Sequence, residues 1–267
     1  MTALQEFRTF ASANMMTLEA MLSDVCADCC APLNSFTLFD GGAHRGFHTL
    51  KMLALPGCKK VVAVEADPFM AEELLHTLEK AGDHMLDRVD LREAALQNNP
   101  RIYRLTWKSS SSHVGRSSIS GANPQQKTIW PDTADITYRP DLTVRATTID
   151  KTLAQVGRAV PFVKLDLEGA DLLALFGAER TLRHKRPVVA FENAIHAPAV
   201  HGFTLDQVIA YFAALDYVPL DFLGQPLTRA TWFGFFEAWA VPREKLEQTQ
   251  KAIRTAVATH SKQTLPA

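Results

Sequence analysis

The sequence predicts a doubly wound α/β fold with a mostly parallel sheet and an N-terminal helical extension. Three observations carry the prediction. From residue 36 onward, apolar runs of strand length alternate with amphipathic stretches of helix length, the rhythm of successive βαβ units. A glycine-rich turn, Asp40-Gly41-Gly42-Ala43-His44-Arg45-Gly46, separates the first such run from the stretch after it. The 267 residues, 47% of them hydrophobic, suffice for one large domain with a substantial core.

Residues 1–31 carry apolar positions at helical spacing (Leu4, Phe7, Phe10, then Met15, Leu18, Met21, Leu22 and Val25) and stop before Pro32, which predicts a helical extension packed on the domain. Strands are expected over Phe36 to Asp40, Lys60 to Ala66, Val89 to Ala95, Phe162 to Asp166 and Val188 to Glu192. Helices are expected near 46–55, 69–81, 171–185 and 204–215. Tyr217 to Phe222, the turn signal Gly224-Gln225-Pro226, and Trp232 to Val241 then predict two antiparallel strands that finish the sheet. Residues 109–139, rich in Ser, Gly, Asn, Pro and Gln, interrupt the units and read either as a lid or binding loop or as a surface insertion without a role. The expected division is an extension over 1–31, the main domain over 32–245 and a C-terminal helix and tail over 246–267.

Composition removes several functions. With 28 basic against 29 acidic residues there is no global field to draw the protein onto nucleic acid or an anionic membrane. No apolar run approaches the roughly 18 residues that span a bilayer, and the start lacks a basic stretch followed by an apolar core, so a cytoplasmic protein is expected. Cys26, Cys29 and Cys30 stand together, but only Cys58 remains to complete a zinc site, so buried reduced thiols are expected rather than a metal.

The chemistry concentrates at strand ends. Asp40 closes a buried strand, and the glycines after it allow a tight turn, a close approach of backbone to a ligand and a helix N-terminus with unpaired N–H groups. The next strand ends at Glu65, 25 positions later, where a carboxylate accepts hydrogen bonds from a ribose in folds of this kind. Loop and acid point to an adenosine-containing ligand. The dinucleotide fingerprint is absent, and an acid at the loop suits an ammonium better than a pyrophosphate, which favours S-adenosylmethionine over a nicotinamide cofactor. In Pro161-Phe162-Val163-Lys164-Leu165-Asp166-Leu167-Glu168-Gly169, strand alternation would place Lys164, Asp166 and Glu168 on one face, where three ionisable groups are costly unless paired or functional. Glu192 and Asn193 end the following strand and His196 follows in the loop; Glu192 or Asp166 is the expected partner of Lys164.

Taken together, Phe39 to Gly46, Val64-Glu65-Ala66-Asp67-Pro68, Thr147-Thr148-Ile149-Asp150, Val163 to Gly169 with Gly177-Ala178-Glu179, Arg186-Pro187-Val188 and the closing Glu237 to Pro242 resemble the FkbM family of S-adenosylmethionine-dependent methyltransferases. The resemblance spans roughly residues 36–242, and the K-x-D-x-E-G segment is its most specific part. It implies a seven-stranded, Rossmann-like class I methyltransferase sheet and methylation of hydroxyl groups on polyketides, sugars or other small metabolites. Two departures stand out: His44 occupies a position where methyltransferases commonly have glycine, and Ala66-Asp67-Pro68 replaces the usual Glu-Pro pair.

The cofactor site expected from pattern and resemblance comprises Asp40, Gly41, Gly42, Ala43, His44 and Gly46 in the loop, Glu65 and Ala66 after the second strand, Glu93 and Ala94 after the third, and Asp166. Asp166 or Glu168 is the expected general base, His196 the second candidate, and Lys164 the group that tunes the carboxylates. Glu192, Asn193 and His113 are expected to meet a small-molecule or glycan acceptor. No protein metal site is expected, although a divalent ion acting on the acceptor hydroxyl is left open, as is homo-oligomerisation. The competing functions are a nicotinamide-dependent oxidoreductase and a non-catalytic binding protein on the same fold.

Overall fold

The computed structural model describes residues 15–109, 118–119, 139–193, 201–232 and 237–264. The helical reading of residues 1–14, nearly all of the 109–139 stretch, and the candidates His113 and His196 lie outside them.

In chain order the strands are β1 Phe36–Gly41, β2 Cys58–Glu65, β3 Val89–Glu93, β4 Ala95–Leu96, β5 Arg104–Lys108, β6 Ser118–Ile119, β7 Leu142–Thr147, β8 Phe162–Leu165, β9 Val188–Glu192, β10 Tyr217–Asp221 and β11 Glu237–Pro242. The helices are α1 Met15–Cys30, α2 Phe47–Leu53, α3 Pro68–Ala81, α4 Asp83–Leu86, α5 Ile149–Leu153, α6 Asp171–Phe176, α7 Glu179–Lys185, α8 Leu205–Ala214 and α9 Leu246–Thr264. The main sheet has seven strands in the order β10-β11-β9-β8-β1-β2-β3. The pairs from β9 through β3 are parallel, and β11 alone runs against its two neighbours. The α/β, doubly wound sheet read from the sequence is therefore present, and so is a helix ahead of β1.

Both faces of this sheet are covered, which is why its strands read as continuous apolar runs. Along the strands, Leu38, Val61, Ala63, Phe162, Val188 and Trp239 face one core, into which α1, α2, α3 and α9 send Met21, Met52, Leu74 and Ile253. The alternate residues Phe39, Val62, Val163, Val189 and Ala240 face the other, filled by Leu153, Leu172, Leu182 and Phe212 of α5 to α8.

Three differences from the sequence reading reshape the elements around the crevice. The strand expected over 89–95 ends at Glu93, and β4 leaves it to pair with β7 in a second sheet of order β4-β7-β5-β6. That sheet brackets the 109–139 stretch, and its strands are too short and too exposed on one side to stand out in the sequence. The helix expected over 171–185 is two helices broken at Gly177-Ala178. A side chain at Gly177 would meet the Gln97 carbonyl oxygen at 2.3 Å, so the break lets the segment after β4 pass closely. β8 ends at Leu165, short of the Asp166 expected.

Candidate functional site

The strand order reverses direction between β1 and β8: the chain moves outward from β1 through β2 and β3, and later outward from β8 through β9. Such a switch point opens a crevice beyond the carboxyl ends of the two strands, where ligands of open α/β sheets bind. Lying across it are the Gly41-Gly42 turn and Asp166. The amide of Asp166 donates to the Gly41 carbonyl at 3.1 Å, and the amides of Gly42 and Ala43 both donate to the Val64 carbonyl, at 2.9 and 3.1 Å. Gly42 has φ +71°, and a Cβ there would lie 1.9 Å from the Asp166 carbonyl oxygen, so only glycine lets the turn close on β8. Gly46, at φ 86°, starts α2, and His44 holds a left-handed φ of 50° without being glycine.

Beneath the turn sits a buried ion pair. Asp40 and Lys164 are adjacent in register on β1 and β8, and Lys164 Nζ lies 3.3 Å from Asp40 Oδ1. The ammonium also donates to the Gly42 carbonyl at 2.9 Å and lies 3.7 Å from Asp166 Oδ2, while Thr49 Oγ1 of α2 donates to Asp40 Oδ2 at 2.6 Å. Burial alone would strip the proton from Lys164, but Asp40 and Asp166 outweigh it and hold the amine as a cation beyond its usual range. Two expectations change here. Of the two partners expected for Lys164, Asp166 is present and Glu192 is not, and the nearer partner is Asp40. Asp40 is also fully enclosed and committed to Lys164 and Thr49, because its side chain meets β8 and α2 instead of lying open at the loop's entrance.

Glu65 ends β2 beside the turn. Its Oε2 accepts the His44 amide at 2.7 Å and its Oε1 the Asp67 amide at 2.8 Å, tying the loop to the start of α3. Burial raises its pKa against the lowering pull of those two amides. Ala66 packs in a small cluster with Trp107 and Val144 of the second sheet, and Trp107 Nε1 reaches Asp67 Oδ2 at 3.5 Å. Glu93 is exposed at the end of β3, and Ala94 is buried and donates its amide to the Glu65 carbonyl at 2.9 Å. His44 lies in the same loop with its Nε2 buried and unpartnered among the described residues, and burial, then Arg45, pulls its pKa down.

The segment after β8 turns rather than continuing as a strand. Glu168 takes φ 52° and Gly169 φ 91°, so the alternation linking Lys164, Asp166 and Glu168 ends at Asp166, and Glu168 belongs to an exposed turn. Asp171, which the sequence offered only as a helix start, is fully buried and holds this turn: Oδ2 accepts the Leu167 amide at 3.1 Å and Oδ1 the Glu192 amide at 3.2 Å. Burial first and Asp166 second raise its pKa to about 7. A ring nitrogen of His201, equally unforeseen, contacts the Gly169 carbonyl at 3.1 Å.

Glu192 ends β9 almost completely buried, and its Oε2 has no hydrogen-bond partner among the described residues. Burial, followed by Asp166 and Asp171, pushes its pKa well up. Asn193 donates its side-chain amide to the Trp232 carbonyl, and its Oδ1 has no hydrogen-bond partner among the described residues. The four cysteines are free thiols, and burial raises Cys29 to about 12 and Cys58 to about 11, which leaves them as core residues. Among the described residues no three His, Cys, Asp or Glu side chains converge as a metal site, and no helix is long and apolar enough to cross a membrane.

Against known families, the model described as "Methyltransferase FkbM domain" matches residues 40–219, which include the glycine turn, Glu65, Lys164, Asp166, Asp171 and Glu192. The chain belongs to the FkbM methyltransferase family. Among solved structures, it is similar to an FkbM methyltransferase from Methylobacillus flagellatus, at 16% identity and a TM-score of 0.46, over 78% of this chain and 43% of that one. It therefore spans less than half the length of that relative. An O-methyltransferase from Bacillus cereus, in complex with SAH, is similar at 13% identity and a TM-score of 0.41, over 90% of this chain and 91% of that one. No curated protein sequence matches it.

Proposed function

We propose that this FkbM-family chain is an S-adenosylmethionine-dependent enzyme that methylates a hydroxyl group of a small metabolite, sugar or polyketide. The observation that carries the reading is the switch-point crevice, closed by Gly42 against Asp166 and braced from below by Lys164. The residues around it fit an adenosyl cofactor. Each oxygen of Glu65 accepts one backbone amide and keeps a lone pair for a ribose hydroxyl. The Gly41-Gly42 backbone and Asp166 would flank the amino-acid end, and Ala94 and the His44 loop the adenine side.

When bound, the cofactor supplies a methyl group already activated on a sulfonium. The chain's own work is then to orient the acceptor and take its proton. Asp166 is half exposed at the crevice and anchored by Lys164, so it is the first choice for that proton, with Glu168 on the adjoining turn the second. Asp40 and Thr49 act through Lys164, fixing where its charge sits. Calorimetric titration with S-adenosylmethionine and tritiated-methyl transfer into pools of small molecules and glycans test the reading. Binding together with label in those pools is the expected result; no binding, or label in protein or nucleic acid instead, defeats it. Asp166→Asn should lower kcat by about 10²-fold or more; full turnover in both Asp166→Asn and Glu168→Gln would reject the proton-transfer role.

A further inference from the structure

At the carboxyl ends of β8 and β9 and the amino end of the antiparallel β11, three acids fall in one row. Glu192 pairs directly with Glu237 of β11, and Lys164 pairs with Ala190, so Asp166, two residues beyond Lys164, comes level with Glu192. Asp171 lies behind the row and Glu168 beside it, and all four acids act on Glu192. The cation near them, Lys164, is committed to Asp40, Asp166 and the Gly42 carbonyl. Glu192 itself is 8% exposed, with an oxygen that no described group satisfies, and the neighbouring Asn193 Oδ1 is left open as well. A buried carboxylate oxygen without a partner costs free energy in a folded chain unless a ligand completes it.

Resting on the methyl-transfer reading above, we propose that the acceptor is a cation: it carries an amine, protonated in solution, that binds Glu192 between Asp166 and Glu237 and so presents a neighbouring hydroxyl to the crevice. Every unsatisfied oxygen here accepts hydrogen bonds, which an ammonium answers with three donors and a compensating charge. Phosphorylated or carboxylated acceptors meet the acids of the row as like charge and are turned away. In the free protein a proton on Glu192 relieves the row, and the arriving ammonium replaces it, the proton leaving to solvent. Amino sugars and amino alcohols meet this description; neutral sugars lack the charge.

The test follows the Glu192 carboxyl carbon by NMR in wild-type protein labelled with ¹³C-glutamate and saturated with S-adenosylhomocysteine, its resonance assigned with Glu192→Gln. Glucosamine, glucose and glucose 6-phosphate are added in turn. The expected result is that glucosamine shifts the resonance toward the ionised position at least tenfold more tightly than glucose does, and that the phosphate ester has no effect. Glu237→Gln should weaken the glucosamine response about threefold. Equal responses to glucosamine and glucose, no response to any of the three, or a response to the phosphate ester overturns the proposal. So does ionisation of Glu192 by S-adenosylmethionine alone, which would make the row part of the cofactor site. Failure of S-adenosylhomocysteine to bind, read by calorimetry on the same sample, would defeat the methyltransferase reading instead.

Discussion

Lys164 and Asp40 are worth less as a source of stability than as a constraint on where charge sits. A buried pair recovers in Coulomb attraction roughly what its desolvation costs, whereas removing one partner leaves the other charge stranded. Lys164→Met should therefore destabilise the fold by roughly 3–5 kcal/mol, because Asp40 would stay enclosed with only Thr49 to answer it. Adding Asp40→Leu to Lys164→Met should restore a good part of that loss. Urea denaturation of the three proteins checks both statements, and a double variant no better than the single would contradict them. Gly42→Ala should cost at least about 3 kcal/mol, since it combines a positive φ with a Cβ at 1.9 Å from a carbonyl oxygen. At this scale the sequence was informative about identity and poor about partners. Lys164, Asp166 and Glu192 were legible as unusual charges in apolar runs, but which acid meets Lys164 depends on β1 lying beside β8, 123 residues away in the chain for the Gly41 contact.

Among the elements, the turn between β8 and α6 depends on a side chain that local pattern did not mark. Asp171 caps two backbone amides from different segments, Leu167 and Glu192, and so couples the turn carrying Glu168 to the end of β9. Asp171→Ala leaves both amides buried without acceptors and should cost roughly 2–4 kcal/mol, by the desolvation of unpaired donors. The turn should also show faster amide hydrogen exchange at Leu167 and Glu192, and unchanged exchange there would remove the coupling. An aspartate at the first position of a helix is ordinary in a sequence; what distinguishes this one is full burial, which no spacing reveals. The same holds for the second sheet. Its strands are held by Leu105, Trp107, Leu142 and Val144 closing on Ala66 and Ala95, contacts between segments that are individually weak strand formers.

Across the whole molecule, acidic and basic groups with displaced pKa values pull stability in opposite directions as pH changes. Asp171 holds its proton up to about 7, so its contribution is complete below the ordinary carboxylate range and is lost as pH rises toward 7, where a bare charge must be buried. His48 does the reverse. Burial and then Lys164 pull it down to about 4, so stability is lost as pH falls from about 6.5 toward that value. Measured by urea denaturation, the stability of wild type relative to Asp171→Asn should be higher at pH 5 than at pH 7.5. Relative to His48→Phe, it should be lower at pH 4.5 than at pH 7.5. A flat difference in either series would contradict the assignment of that slope. The amines and the Arg186–Glu244 pair, whose acid is lowered to about 2 and largely exposed, contribute little within this window.

By itself the sequence determined the alternation of strands and helices, the two-faced apolar strands, the glycine turn after β1 and the antiparallel end of the sheet, because each follows from residues close together in the chain, and it pointed to the family through the order of such segments along the chain. Only the tertiary structure decided that Asp40 is enclosed and paired with Lys164, that Glu168 leaves the strand's face at a left-handed turn, that Asp171 ties two segments together, and that Glu192 ends in a row with Asp166 and Glu237. The physical reason is common to all four. Burial and pairing of a charge are set by strands that meet across the sheet from distant parts of the chain, and periodicity along one strand carries no record of its neighbours.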